Sequence, residues 1–265
     1  MPLSIHLYRN LALCYSNNHQ SSLHAHQALQ MTVALDDPFD LELEAPGQME
    51  RTLEAQFICI APQQRHRITA KTSTVAYLYV DTNPVAYAKW RAAGAMPVPP
   101  DESILAALHD LQQGHSSGRE VGEVLAYRWC EHSLPGLLAI RPEDLRIARA
   151  MDIIEQDLLL ALNYTGLARL VHLSPSRFAN LFREQTGLPV RNYVLWRRLV
   201  HVFERLEQGD SITSAAHNAG FSDCAHLSRS FHKICGAKPS EMNVVQIPGH
   251  PLASGQSSDS SASAR

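Results

Sequence analysis

Apolar positions along the chain change their period once. Up to residue 80 they fall in short runs, alternating or continuous: Ile5–Tyr15, Ala28–Leu35, Phe39–Glu44, Phe57–Ile60 and Val75–Val80. Asp36-Asp37-Pro38, Ala45-Pro46-Gly47 and Ala61-Pro62 punctuate them. Short runs broken by turn residues at regular intervals predict the strands of a sandwich or barrel. Pro84, behind Asp81-Thr82-Asn83, predicts a helix over Val85–Ala93, because proline suits a first turn whose N–H groups have no helical partner. Met96-Pro97-Val98-Pro99-Pro100 then interrupts the chain as a loop or hinge.

From Ile104 the period is helical. Ile104, Leu105, Leu108 and Leu111 form one amphipathic segment and Val124, Leu125 and Tyr127 mark a second, on either side of Gly114–Gly118. The apolar stretch Glu120–Leu134 suits an interface helix or a core helix equally. Pro135–Pro142 reads as the connection to a second unit, and Pro248–Arg265, mostly Ser, Gly, Ala and Pro, as a disordered tail. The expected division is a β-rich unit over 1–140, helical from about 104, an all-α unit over 141–247, and a tail over 248–265.

Within the helical part a pattern occurs twice. A helix-turn-helix packs two short helices across a tight turn, so apolar residues recur at fixed offsets and a small residue sits where the helices cross. With Ala168 as the small residue, Leu167 and Val171 line a first helix, and Leu173 follows the turn. Phe178, Leu181 and Phe182 form the stripe of a second helix, capped by Ser174 with Pro175 at its first position. Ala216, Gly220, Phe221, Leu227 and Phe231 repeat Ala168, His172, Leu173, Phe178 and Phe182 about 49 residues on, with one extra residue in the second turn. The spacing continues to Gly187 and Tyr193 in the first copy and to Gly236 and Met242 in the second. Between the copies, Val190–Glu207 predicts one helix of 18 residues, about 27 Å at 1.5 Å per residue. A strut of that length suits two recognition helices set about one DNA turn, ~34 Å, apart.

Gly220-Phe221-Ser222-Asp223, Leu227-Ser228-Arg229-Ser230-Phe231 and Gly236-Ala237-Lys238-Pro239-Ser240-Glu241 resemble the signature of the AraC/XylS family of transcription regulators. Leu173–Phe178 with Leu181-Phe182 resembles that family's first unit, and Arg197-Arg198-Leu199 its linker helix. The resemblance implies an α+β two-domain protein: an N-terminal cupin-like barrel that binds a small-molecule effector and dimerises, and a C-terminal domain with two helix-turn-helix units. It further implies sequence-specific binding to double-stranded promoter or operator DNA, with RNA polymerase as a further partner and the sign of regulation open. Five positions depart from the family pattern. His172 stands in place of the first unit's Gly, so an altered turn is expected there. Phe203 replaces a small residue in the linker helix, and Ala179, Cys224 and Ala225 are short where base-reading side chains often lie.

Charge follows the same division. Residues 160–245 carry ten Lys/Arg against six Asp/Glu, a balance of +4, while the rest carries 13 against 20, a balance of −7. A basic region on an acidic body fits a polyanionic partner for the helical part. The outward positions there are Ser176, Arg177, Asn180 and Arg183 in the first unit and Cys224, His226 and Arg229 in the second. Arg pairs with guanine and Asn with adenine when they reach base edges, whereas Arg at a helix margin more often meets phosphate. Asp223 is expected to cap the second recognition helix.

The β-rich part holds His24-Ala25-His26, then Gln30, then His66. Two His at H-x-H spacing on a strand share a face, and a third could complete a metal site; Gln30 stands where the cupin metal motif has Glu. As hydrogen-bonding groups, the same four residues could instead line an effector pocket. No resident cofactor is expected, and 1–140 offers no nucleophile–base pair or Gly-rich phosphate loop, so no enzyme is expected either. The alternatives are a metal-dependent cupin enzyme with an accessory DNA-binding domain, and a purely architectural DNA-binding protein. Five scattered cysteines without a C-x-x-C suggest a reducing cytoplasm. No signal pattern and no apolar run near ~20 residues points to a membrane.

Overall fold

The computed structural model describes residues 3–8, 10–45, 48–116, 118–235 and 242–244. The turn expected at Pro46-Gly47, the signature Gly236–Glu241 and the tail from residue 248 lie outside them. The β-rich part forms strands β1 (Leu3–Tyr8), β2 (Leu11–Gln20), β3 (Leu29–Ala34), β4 (Phe39–Ala45), β5 (Gln48–Ala55), β6 (Phe57–Ile60) and β7 (His66–Val80). Its helices are α1 (Pro84–Ala92), α2 (Glu102–Gln112) and α3 (Arg119–Ser133). The run from Ile5 to Tyr15 is two strands, a hairpin in which Tyr8 faces Leu11. β5 is an additional strand: Gln48–Ala55 has few apolar residues and no apolar run marks it, yet it pairs with β4.

β7 organises the sheet. At 15 residues it pairs with β2 along one edge, and on the other edge passes from β4 at residues 66–69 to β3 at residues 75–80. This hand-over curls the sheet into a nearly closed barrel. One face of β2, β3 and β7 presents Leu13, Met31 and Leu78 to Trp90, Leu108 and Trp129 of the three helices. The opposite face holds Cys14, Ile60, Val75 and Tyr77 with Phe39 and Leu41. Every residue of β3 is buried, as expected for a strand covered on both faces, and this explains why its sequence does not alternate.

The helical part comprises α4 (Leu145–Gln156), α5 (Tyr164–Leu170), α6 (Pro175–Thr186), α7 (Val190–Glu207), α8 (Ile212–Asn218) and α9 (Cys224–Cys235). A last strand, β8 (Met242–Val244), runs parallel to β1. Met242 therefore lies in a strand, whereas its counterpart in the sequence repeat, Tyr193, lies in α7. The start signal expected before Pro84 is in place, with Asn83 accepting from Ala86 N–H at 2.8 Å at the head of α1; Asp101, not singled out from the sequence, accepts from Ile104 N–H at 2.8 Å at the head of α2. α3 turns Leu125, Ala126, Trp129 and Cys130 into the core and leaves Val121 and Val124 exposed.

Candidate nucleic-acid interface and buried histidine cluster

The sequence repeat is also a repeat of hydrogen bonds. In the first unit Leu173 N–H donates to Ala168 C=O at 2.9 Å, and in the second Phe221 N–H donates to Ala216 C=O at 2.9 Å. Asn163 caps α5 through Gly166 N–H at 2.9 Å, and Ser211 caps α8 through Ser214 N–H at 3.2 Å. Ser174 receives Arg177 N–H at the head of α6, and Asp223 receives His226 N–H at 2.6 Å at the head of α9. The extra residue in the second turn is Ser222, which displaces the cap by one. The turn of the first unit is unaltered by His172: its φ is 57°, in the left-handed region also occupied by Gly220 at 75°. Histidine tolerates that region better than most side chains, at a cost glycine avoids.

Each unit has its own core, and α7 contributes to both. Leu167, Phe178 and Phe182 pack with Ile147 and Ile154 of α4 and with Tyr193 and Val194 of α7. Ala216, Phe221, Leu227 and Phe231 pack with Leu199 and Val202, one helical turn and more further along α7. A single continuous helix thus fixes the mutual orientation of α6 and α9. Phe203 is accommodated by stacking edge-on to Phe231, with ring centroids 5.3 Å apart.

With these faces buried, Ser176, Arg177, Asn180 and Arg183 on α6 and Arg229 on α9 are exposed. Asn180 lies between buried Phe178 and Phe182 just as Arg229 lies between Leu227 and Phe231. Two members of the expected set are less free. Cys224 is half-buried, its Sγ 3.5 Å from Thr213 Oγ1. His226 is half-buried too: its ring stands edge-on to Phe221 at 5.3 Å, with Nδ1 3.2 Å from Ser222 Oγ.

The paired arginines of α7 face inward. Arg198 donates from Nε to Ala219 C=O at 2.7 Å and lays its guanidinium 4.0 Å over the Phe221 ring. Arg197 reaches the barrel unit and pairs with Asp81, to which Trp196 Nε1 also donates at 2.8 Å. Burial alone would lower the Arg197 pKa; the facing Asp81 carboxylate, together with Tyr193, Glu155 and Glu204, more than reverses this. Phe203, besides meeting Phe231, packs against the barrel's second core cluster. These contacts between the units carry no sequence periodicity, and tandem arginines on a helix read as a solvated or phosphate-facing pair until the fold places Asp81 opposite Arg197 and Phe221 beneath Arg198.

The histidines converge. His24 and His26 precede β3, Gln30 lies in β3 and His66 opens β7; all four are buried. A bridge between His24 and His66, with backbone N–H···O bonds of 3.0 and 2.8 Å, joins the two segments. Ring centroids are 4.4 Å apart for His24–His66, 5.0 Å for His26–His66 and 5.5 Å for His24–His26. Each Nδ1 meets a backbone carbonyl: Ser22 O at 2.8 Å, Ala28 O at 2.8 Å and Gln64 O at 2.9 Å. Burial, with the neighbouring histidines, pushes the pKa of His26 down to about 4 and that of His66 to about 2, so both are neutral near pH 7.

Among the described residues Cys59, Cys130 and Cys224 are free thiols, and no helix is long and apolar enough to cross a membrane. A family described as a helix-turn-helix domain matches residues 167–243. The arabinose operon regulatory protein of Salmonella typhimurium is 32% identical over 149 residues, which are 51% of this chain and 50% of that protein. The chain spans half or less of the length of the first curated relatives it matches. In fold it is similar to ToxT of Vibrio cholerae, at a TM-score of 0.54 and 12% identity, covering 88% of this chain and 97% of that one. It is similar, too, to ToxT in its unsaturated-fatty-acid-bound form, at a TM-score of 0.52 and 10% identity, covering 88% and 95%.

Proposed function

Because the chain belongs to the AraC/XylS family of transcription regulators, we propose that it binds double-stranded operator DNA in a sequence-specific way and regulates transcription in response to a small effector. The observation that carries this reading is the matched exposure of Asn180 and Arg229 on two capped helices held by one strut, α7. Residues 141–247 read the DNA, with Ser176, Arg177, Asn180 and Arg183 in one major groove and Cys224, His226 and Arg229 in the next. Asn180 and Arg229 contact bases; Arg177 and Arg183, nearer the helix margins, contact phosphate. His226, already engaged with Phe221 and Ser222, has a smaller share in base reading.

Residues 1–140 take the effector, with His24, His26, Gln30 and His66 as its polar anchors. The fatty-acid-bound form of ToxT, a protein of the same fold, supports a ligand-binding role for this fold. For an effector to regulate, it must bind two conformations of the protein unequally. The Asp81–Arg197 pair gives the barrel a direct hold on the strut through which such a difference can pass. The protein works in the cytoplasm as a homodimer that engages RNA polymerase at its promoters. Genome-wide mapping of bound sites, with expression profiling of a deletion strain, tests the reading. Bound sites upstream of genes whose expression changes on deletion are expected; a chain that occupies no preferred sites overturns it.

A further inference from the structure

Three imidazoles meet inside the barrel beside Gln30 and Tyr79. One ring nitrogen from each of His24, His26 and His66 lies within 4.8 Å of the others. Since each Nδ1 faces a carbonyl oxygen, an acceptor, Nδ1 carries the proton and Nε2 the lone pair. Anchoring Nδ1–H on a backbone carbonyl fixes the tautomer and aims Nε2, the outer-shell arrangement that orients histidine ligands on metals. Two details go beyond orientation. His66 Nε2 is fully buried and has no hydrogen-bond partner among the described residues, and an orphaned buried polar atom of this kind is destabilising until something takes its lone pair. His26 Nε2 lies 2.8 Å from Gln30 Oε1, and Gln30 Nε2 donates to Thr32 Oγ1. With Nδ1 protonated, Nε2 and Oε1 face each other as two acceptors, an opposition that is relieved by turning the amide or by a cation that takes both lone pairs.

We propose that His24, His26 and His66, with Gln30 as an oxygen donor, form a mononuclear site for a divalent first-row transition metal ion. It rests on the reading of the barrel as the ligand-binding unit and not on the DNA-binding reading. A donor set of three imidazoles and an amide oxygen, without thiolate, suits zinc, cobalt, nickel or iron(II) and disfavours magnesium and calcium, which take oxygen ligands. Metal–nitrogen bonds near 2.1 Å put neighbouring nitrogens roughly 3.4 Å apart around a tetrahedral ion, so the rings close in by less than about 1 Å each. With Gln30 as the fourth donor, the ion admits an exogenous ligand by expanding to five-coordination or by releasing the amide, so a small effector with an oxygen or nitrogen donor can bind the same centre.

The test uses the untagged full-length chain, stripped with chelator and titrated with Co2+, with zinc content measured separately by mass spectrometry. One equivalent of cobalt with visible absorption bands is expected for the wild type, and essentially none for His66→Leu or His26→Leu. The exposed His115→Ala control should bind as the wild type does. Because buried substitutions can unfold a barrel, Gln30→Glu supplies a second readout: a carboxylate in the oxygen position should tighten cobalt binding at least several-fold. A wild type that takes up no more metal than His66→Leu, or an affinity unmoved by Gln30→Glu, overturns the metal site. Failure here leaves the effector reading to its own test, since neutral imidazoles also hydrogen-bond organic ligands.

Discussion

Asn180 and Arg229 occupy equivalent places in the two units, each exposed between two buried aromatic or aliphatic side chains. A good bidentate base contact discriminates by about 1–3 kcal/mol, so Asn180→Ala or Arg229→Ala should weaken operator binding about 5- to 150-fold. Binding to random duplex should barely change. Fluorescence anisotropy at several salt concentrations checks this, because a lost phosphate contact weakens all sequences alike and flattens the salt slope; equal loss on both DNAs assigns these residues to the backbone. His172 offers a cleaner stability experiment. Held at φ 57°, it should give way to glycine with a gain of about 0.5–1 kcal/mol, whereas Gly220→Ala at φ 75° should cost at least as much. Denaturant midpoints of the two variants are expected to move in opposite directions.

The elements of the helical part were legible because each carries its own start and stop. Val190–Glu207 is bounded as the sequence predicts, and Ser174-Pro175 opens α6 through a cap and a proline at the first position. β5 and the hairpin in Ile5–Tyr15 were not legible: strand identity there comes from a neighbour across the sheet, and a short strand without an apolar run of its own has no private signal. The inward role of Arg198 is likewise a property of packing between elements. Its hydrogen bond to Ala219 C=O and its stacking on Phe221 tie α7 to the second unit. Arg198→Ala should lose about 1–3 kcal/mol of stability and weaken operator binding without removing any DNA contact. A lowered melting temperature with an unchanged salt slope is the expected signature, and a flattened slope would make Arg198 a phosphate contact.

At the scale of the molecule, the barrel and the DNA-reading part are joined by Asp81 with Trp196 and Arg197, by Lys89 with Glu143 at 2.6 Å, and by β8 on β1. A fragment of residues 141–247 removes all of these partners and exposes Phe203. It should still prefer operator over competitor DNA, more weakly than the full chain, and should not respond to effector. Asp81→Ala is the milder version. It leaves Arg197 and the Trp196 N–H partly buried without their acceptor, and removing one partner of such a pair costs up to about 3–5 kcal/mol when burial is complete. A thermal midpoint lowered by several degrees is expected, together with a weakened effect of the barrel on DNA binding. A fragment that still answers the effector in cells would move the sensor out of residues 1–140.

The sequence by itself determined the features written in local, repeated code: the β-to-α change near residue 100, the caps of Asn83, Ser174 and Asp223, and both helix-turn-helix units with the strut between them. Helix periodicity and capping act within a few residues, so they survive in a one-dimensional reading. Only the tertiary structure decided which outward-looking positions are open to solvent. It brought His66 to His24 and His26 across 40 residues of chain, turned Arg197 toward Asp81 and Arg198 toward Phe221, and placed β8 against β1. Each of these depends on strand register or on the docking of one core against another. Such non-local contacts are fixed by the sum of packing over the whole fold, and no short stretch of sequence contains them.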